Sequence, residues 1–228
     1  MARKLVIANS GCAIASSTKA KEKLIAWGMK PEKIFISLLT VDIGAISSEG
    51  DCGFAGRLLY VGSMIPRKGL DLLLDALRYV KSDYNLRIVG NGSDDEIKGL
   101  QEKMQNLGIK DKVKVLGFKQ GEALWQEYKD AQLFVMPSRE DCFGLVLLEA
   151  LAAEKPIISS KYADGAYDIV KDGENGILVD PFDSVEFAKA IDDCLMNKTL
   201  SGCRPDILQK FSFANVSKGF EAAIEAVV

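Results

Sequence analysis

The chain has 228 residues, enough for one or two domains with a full-sized core. Its formal net charge of −3 argues against general nucleic-acid binding, so any basic site must be local. It contains no histidine, which excludes histidine general bases, Ser-His-Asp triads and histidine-ligated metals within this sequence.

The opening run Leu5-Val6-Ile7-Ala8 is too short for the apolar core of a signal peptide, and polar Asn9-Ser10 follows it. A short strand fits it better. A helix is expected from Ser17 to Gly28, capped by Ser16 or Ser17, and then a short strand over Lys33–Ser37. Ser47-Ser48-Glu49-Gly50-Asp51-Cys52-Gly53 is polar and glycine-containing, as expected of a linker. These pieces cannot make a domain, so residues 1–50 read as the end of a preceding domain plus a linker. No segment approaches the roughly 18 apolar residues of a membrane span. The cysteines, Cys12, Cys52, Cys142, Cys194 and Cys203, form no C-x-x-C pair. They are expected to be free thiols in a reducing compartment, which points to a cytoplasmic protein.

From residue 57 the pattern changes. Apolar strand-like runs occur at Arg57–Val61, Leu86–Val89, Val113–Leu116, Leu133–Met136, Pro156–Ser159 and Gly176–Val179. Helical patterns lie between and after them, at Gly69–Lys81, Ser93–Leu107, Gly121–Asp130, Phe143–Ala153, Asp164–Lys171 and Asp183–Asn197. Apolar strands without alternation, each followed by an amphipathic helix, indicate a parallel sheet covered on both faces. The expectation is an α/β, doubly wound, Rossmann-like domain over residues 51–210, with a terminal helix within 211–228.

Three turns carry chemistry. The first, Val61-Gly62-Ser63-Met64-Ile65-Pro66-Arg67-Lys68-Gly69, leaves the first strand and leads to a helix. Arg67 and Lys68 oppose the dipole of that helix, and a local anion such as a diphosphate would relieve the conflict. A solvated basic loop is the plainer alternative. The second turn, Val89-Gly90-Asn91-Gly92, is explained equally well by a tight turn, and Gly117-Phe118 after the third strand is a possible wall for a base. The richest segment is Pro137-Ser138-Arg139-Glu140-Asp141-Cys142-Phe143-Gly144-Leu145, which opens a helix containing Glu149. The first amides of that helix, at Phe143, Gly144 and Leu145, would face a phosphate. Glu149 lies four residues after Leu145 on the same face, where a carboxylate suits the hydroxyls of a ribose. The alternative is a core helix whose Glu149 is paired with a lysine or arginine. The turns Asp164–Asp168 and Asp172–Gly176 read first as turns and only second as ligand contacts. No G-x-G-x-x-G opens the domain, which disfavours a nicotinamide dehydrogenase, and no D-x-D lies at a strand end to bridge a metal to a diphosphate.

Taken in order, these segments resemble the retaining nucleotide-sugar glycosyltransferases with the GT-B fold, over nearly the whole chain. Val61-Gly62 through Lys68-Gly69 resembles that family's V-G-R-x-x-x-x-K-G loop, and Ile88–Gly92 its I-V-G-x-G turn. Pro137-Ser138 through Glu149-Ala150 resembles its P-S-x-x-E-G-F-G-L-x-x-L-E-A segment with the E-x7-E signature. Asn175–Val179 resembles its N-G strand, and Gly28-Met29 with Thr40-Val41-Asp42 the end of its acceptor domain. The resemblance implies that Lys68 binds the donor diphosphate and Glu149 the ribose hydroxyls. It also implies that the amides of Phe143, Gly144 and Leu145 meet the diphosphate or sugar. Gly62, Ser63, Gly90, Gly117 and Phe118 would flank the nucleotide. Asp141 would contact the transferred sugar, so that Asp141 and Lys68 are the catalytic candidates. Two departures stand out. Asp141 is one methylene shorter than the family's glutamate, and its neighbour Glu140 is a rival for the role. Ser63 replaces an arginine, a loss that Arg67 is placed to offset.

The resemblance further implies a hexosyltransferase using a UDP-, GDP- or ADP-sugar, without metal or other cofactor. Its acceptor, a glycan or lipid, would be held by an N-terminal domain absent from this sequence, and the full enzyme could associate peripherally with a membrane. This chain would be the donor-binding half, incomplete as an enzyme alone. Alternatives are one subunit of a split glycosyltransferase, a non-catalytic nucleotide-sugar-binding module, and a nucleotide-sugar epimerase, which the lack of histidine disfavours.

Overall fold

A computed structural model describes residues 6–7, 9–42, 54–196, 200, 202 and 205–228. The expected linker at 47–53, Cys52 and Cys203 lie outside the described residues. Its centre is a six-stranded parallel sheet of β3 (Arg57–Val61), β4 (Asn85–Val89), β5 (Val113–Val115), β6 (Leu133–Met136), β7 (Ile157–Ser160) and β8 (Gly176–Val179). The strand order is β5-β4-β3-β6-β7-β8, with every neighbouring pair parallel. The doubly wound α/β expectation holds.

The unbroken apolar runs follow from burial of both faces. Successive residues of a strand point to opposite sides. Leu58, Tyr60, Leu133 and Val135 enter one core cluster, while Leu59, Phe134 and Met136 enter the other. Helices α2 (Leu70–Leu77), α3 (Asp94–Asn106) and α7 (Ser184–Met196) contribute to the first cluster. Helices α4 (Glu122–Asp130), α5 (Leu145–Ala152), α6 (Ala166–Ile169) and α8 (Pro205–Lys210) contribute to the second.

Several helices are shorter than the sequence pattern suggests, for reasons that lie elsewhere in the chain. The first stops at Leu77 rather than Lys81 because the amides of Lys81 and Ser82 turn to the Asp192 carboxylate of α7, at 3.1 and 2.8 Å. Helix α6 is a single turn, closed by the buried Asn175 side chain, which accepts from the Lys171 amide (2.7 Å) and donates to the Ile169 carbonyl (3.1 Å). Ser93 caps α3 in a reciprocal box with Glu96, which fixes that helix start as expected.

A smaller unit precedes the sheet. Strands β1 (Ala13–Ala15) and β2 (Ile34–Ile36) pair in parallel, flanked by α1 (Thr18–Ala26) and by α9 (Phe213–Glu225) from the far end of the chain. Of the segment expected as the first strand, only Val6 and Ile7 are described, and both are helical. Helix α9 lies so close to β2 that a Cβ on Gly219 would sit 2.1 Å from the Ile36 carbonyl oxygen. The Ser37 hydroxyl donates to the Val216 carbonyl at 2.9 Å. Helix α1 is tied to α6 at its start, where the Thr18 amide and hydroxyl donate to the two Asp168 oxygens at 2.7 and 2.6 Å. Lys23 adds an ion pair to Asp164 at 2.5 Å. The aspartates of this turn thus serve the packing of α1. Cys12, Cys142 and Cys194 are free thiols. Among the described residues no helix is long and apolar enough to cross a membrane.

Candidate functional site

The strand order reverses at β3, whose two neighbours are β4 and β6. Ligands of open α/β sheets bind at the carboxyl ends of the strands at such a point. The loops leaving β3 and β6 there are residues 62–69 and 137–144, the two segments the sequence singles out.

The loops are latched together. The Arg139 amide donates to the Arg67 carbonyl (2.9 Å), and the Arg139 guanidinium donates to the Pro66 carbonyl (2.6 Å). The same guanidinium grips both oxygens of Asp71, in the first turn of α2, at 2.7 Å each. Burial opposes ionisation of Asp71, but the bonds from Arg139 outweigh it and hold the carboxyl below the usual range. Arg67 turns outward and donates to the Glu140 carbonyl at 3.1 Å. Gly69 closes the junction. It has φ of +69°, and a Cβ there would lie 2.0 Å from the Pro137 carbonyl oxygen. Only a residue without a side chain allows this approach.

Beside the junction is a cleft of about 310 Å³. Gly62, Ser63, Lys68, Asp141, Phe143, Gly144 and Leu145 line it, as does Ser138. Lys68 and Asp141 meet in an ion pair at 2.5 Å, with the carboxylate almost wholly buried and the lysine partly exposed. The second Asp141 oxygen accepts from the Phe143 amide at 3.2 Å. The Phe143 amide, expected to face a phosphate, is therefore held by Asp141. Helix α5 begins at Leu145, two residues later than the pattern suggests, with Gly144 as its left-handed cap. The Asp141 backbone is itself anchored, accepting from the Asp164 amide (2.9 Å) and donating to the Tyr162 carbonyl (3.2 Å). Of the rival carboxylates, Asp141 faces the cleft, and Glu140 is exposed with its carbonyl on Arg67.

The remaining candidates are placed differently. Gly62, Gly90 and Gly117 stitch the ends of β3, β4 and β5. The Gly62 amide donates to the Val89 carbonyl and the Gly90 amide to the Gly117 carbonyl, each at 2.9 Å. A Cβ on Gly90 would lie 1.9 Å from the Gly62 carbonyl oxygen, so close packing already requires that glycine. Gly90, Gly117, Phe118, Arg67, Glu140 and Glu149 are not among the residues lining the cleft. Phe118 stands exposed after β5.

Glu149 is half-buried on α5, and its partner is neither lysine nor arginine. The phenol of Tyr128, on α4, donates to Glu149 Oε2 at 2.7 Å. Burial pushes the Glu149 carboxyl up, and the Tyr128 bond opposes that rise without cancelling it. No signal in the sequence points to Tyr128, a tyrosine on another amphipathic helix. Tyr60 was equally silent. Buried under the first loop, it donates to the Ser63 carbonyl at 2.7 Å and fixes the loop's departure. Burial, then the Asp141 charge, push its phenol well above the ordinary range, so it remains a donor.

A larger hollow of about 510 Å³ lies between β8 and α7, lined by Gly173, Ile177, Asp193, Met196 and Leu200. Its described lining residues include one carboxylate and no cation, whereas the smaller cleft brings the two together. There, an ammonium on a flexible stem and a helix start share one wall, an arrangement suited to charge that develops on a leaving group.

The family profile for glycosyl transferases group 1 matches residues 56–204. An uncharacterized glycosyltransferase of Methanocaldococcus jannaschii is 31% identical over 213 residues, which are 91% of this chain and 54% of that protein. The D-inositol 3-phosphate glycosyltransferase of Acidothermus cellulolyticus is 30% identical over 194 residues, 76% of this chain and 43% of that one. The chain thus spans about half the length of the curated relatives it matches. Among solved structures, the lipopolysaccharide outer core galactosyltransferase WaaB gives a TM-score of 0.82 at 25% identity, over 96% of this chain and 63% of that one. Anabaena Alr3699/HepE in complex with UDP and glucose gives 0.84 at 24% identity, over 99% and 66%, a likeness of fold. The parallel sheet is thus that of GT-B glycosyltransferases, and with most of its length matched by the family profile, the chain belongs to the group 1 glycosyl transferases.

Proposed function

We propose that this chain is the donor-binding half of a retaining glycosyltransferase. It would serve the transfer of a hexose from a UDP-, GDP- or ADP-sugar to a glycan or lipid acceptor held by a further domain. The observation that carries the reading is the shared cleft of Lys68, Asp141 and the start of α5 at the switch point of the sheet. The Lys68 charge is neutralised internally by Asp141. An incoming diphosphate competes for that ammonium and releases the carboxylate toward the sugar. Lys68 and the α5 amides then stabilise the departing diphosphate. This chemistry needs no metal, because the lysine supplies the cation.

Calorimetry with UDP, GDP and ADP, each with and without EDTA, tests the reading. One nucleotide should bind in preference to the others, with the same affinity in EDTA. Binding of none, or binding abolished by EDTA, would sink it.

The roles of the two acids separate in a second titration. Glu149→Gln keeps the size and removes the charge. A hydrogen bond to a charged acceptor is worth roughly 1.5–3 kcal/mol, so nucleotide affinity should fall about tenfold or more. Asp141→Asn removes the internal competitor for Lys68, so nucleotide affinity should hold or rise. The intact nucleotide-sugar loses its sugar contact, so it should gain less than the nucleotide or weaken. Because the Glu149 carboxyl is raised above 4.5, wild-type nucleotide affinity should begin to fall with acid above that pH. This part of the pH dependence should vanish in Glu149→Gln. Equal losses for both ligands in Asp141→Asn, or full affinity in a folded Glu149→Gln, would show the roles to be misassigned.

A further inference from the structure

We infer that Ser138 is a further donor-contact residue, whose hydroxyl donates to the diphosphate of the bound nucleotide-sugar; the inference rests on the donor-site reading above. Five serines are buried among the described residues: Ser17, Ser37, Ser138, Ser159 and Ser160. Four have their hydroxyls bonded within the protein. Ser17 accepts from the Ala20 amide, Ser37 donates to Val216, Ser159 to Ser160, and Ser160 accepts from the Tyr162 amide. Ser138 has no exposed surface, and its Oγ has no hydrogen-bond partner. Arg57 Nε shares that state among buried side-chain atoms, but its guanidinium already bonds Asp130. A wholly unpaired buried hydroxyl costs stability, and such a group in a native protein calls for a partner that arrives from outside.

The position says which partner. Ser138 forms part of the cleft wall with Lys68 and Asp141. Its Cα lies 3.5 Å from the point a Gly69 Cβ would occupy, at the seam of the two loops and beside Lys68. Lys68 and Asp141 are paired on the same cleft wall. A diphosphate that draws Lys68 away from Asp141 opens the wall at Ser138 and brings oxygens with spare acceptor capacity. The serine thus has no protein partner to give up when the donor supplies one.

The test is Ser138→Ala, with melting temperature and affinity read on the same preparation. Removing an unpaired buried hydroxyl should leave the melting temperature unchanged or raise it. Affinity for the preferred nucleotide among UDP, GDP and ADP should fall about tenfold, and by the same factor for the matching nucleotide-glucose. A lower melting temperature would show that the hydroxyl serves the fold and overturn the inference. So would unchanged affinity, or a loss confined to the nucleotide-glucose. If the wild-type chain binds a nucleotide and Ser138→Ala binds it equally, this inference alone fails. If the wild-type chain binds none of the three, the donor-site reading fails and takes this inference with it.

Discussion

Gly69→Ala should destabilise the protein by about 2–5 kcal/mol and abolish nucleotide binding. Two costs add. A left-handed backbone is unfavourable for alanine by roughly 1–2 kcal/mol, and the Gly69 φ is +69°. The new Cβ would also lie 2.0 Å from the Pro137 carbonyl oxygen, a backbone atom that no rotamer change can move. The carbonyl must retreat by about 1 Å before the contact is tolerable, and overpacking of this kind adds roughly 1–3 kcal/mol. That retreat also acts on function. Pro137 begins the loop that carries Arg139 and Asp141, and parting the loops stretches both the Arg139–Asp71 grip and the Lys68–Asp141 pair. Chemical denaturation and nucleotide calorimetry on one preparation measure the two effects. Gly173→Ala is the control, since Gly173 has φ of +74° with nothing within 4 Å of its Cβ position. It should cost only about 1 kcal/mol and leave binding intact. Equal losses in the two variants would show that the loops do not meet as described.

Lys68→Ala should weaken nucleotide binding by about 10–100-fold, the value of a charge-assisted bond to phosphate. It should also lower stability, because the Asp141 carboxylate, only 7% exposed, loses its cation. The two consequences can be pulled apart. In the double variant Lys68→Ala with Asp141→Asn, no buried charge is left alone. Stability should return toward the wild-type value while affinity stays low. Recovery of affinity together with stability would mean that Lys68 supports Asp141 and never meets the nucleotide.

What the sequence revealed was decided by how local each cause is. The strands β3 to β8 were legible because each is short, apolar and buried on both faces, as Leu58 and Leu59 show by entering opposite cores. The two loops of the cleft were legible because each gathers its own signals within a dozen residues, Gly62 to Gly69 in one and Ser138 to Glu149 in the other. Causes that act across the chain left no trace in the pattern. The end of α2 is set by Asp192, 111 residues from Lys81. The pairing of Lys68 with Asp141 spans 73 residues, and the choice between Glu140 and Asp141 depended on it. The alternative reading of Glu149 paired it with a lysine or arginine, and its partner in the protein is the phenol of Tyr128, because a half-buried carboxyl needs a donor and does not require a charge. The first strand was misplaced for a simpler reason. At three residues, Ala13–Ala15 is too short to carry a periodicity.

The contact between Ser37 and Val216 spans 179 residues. Two strands of three residues hold little stability of their own, and β1 and β2 depend on α9 for one of their faces. On the ribosome the six-stranded sheet has all its strands once Val179 is made, while α9 is still to come. Residues 9–42, made before the sheet, are therefore covered only after it. Until then Ala15, Met29 and Ile34, with Leu24, which form the small core of that segment, lack part of their packing. A free chain ending at residue 212 should accordingly protect the central sheet from protease while 9–42 remains open to cleavage, and restoring 213–228 should protect 9–42 in one step.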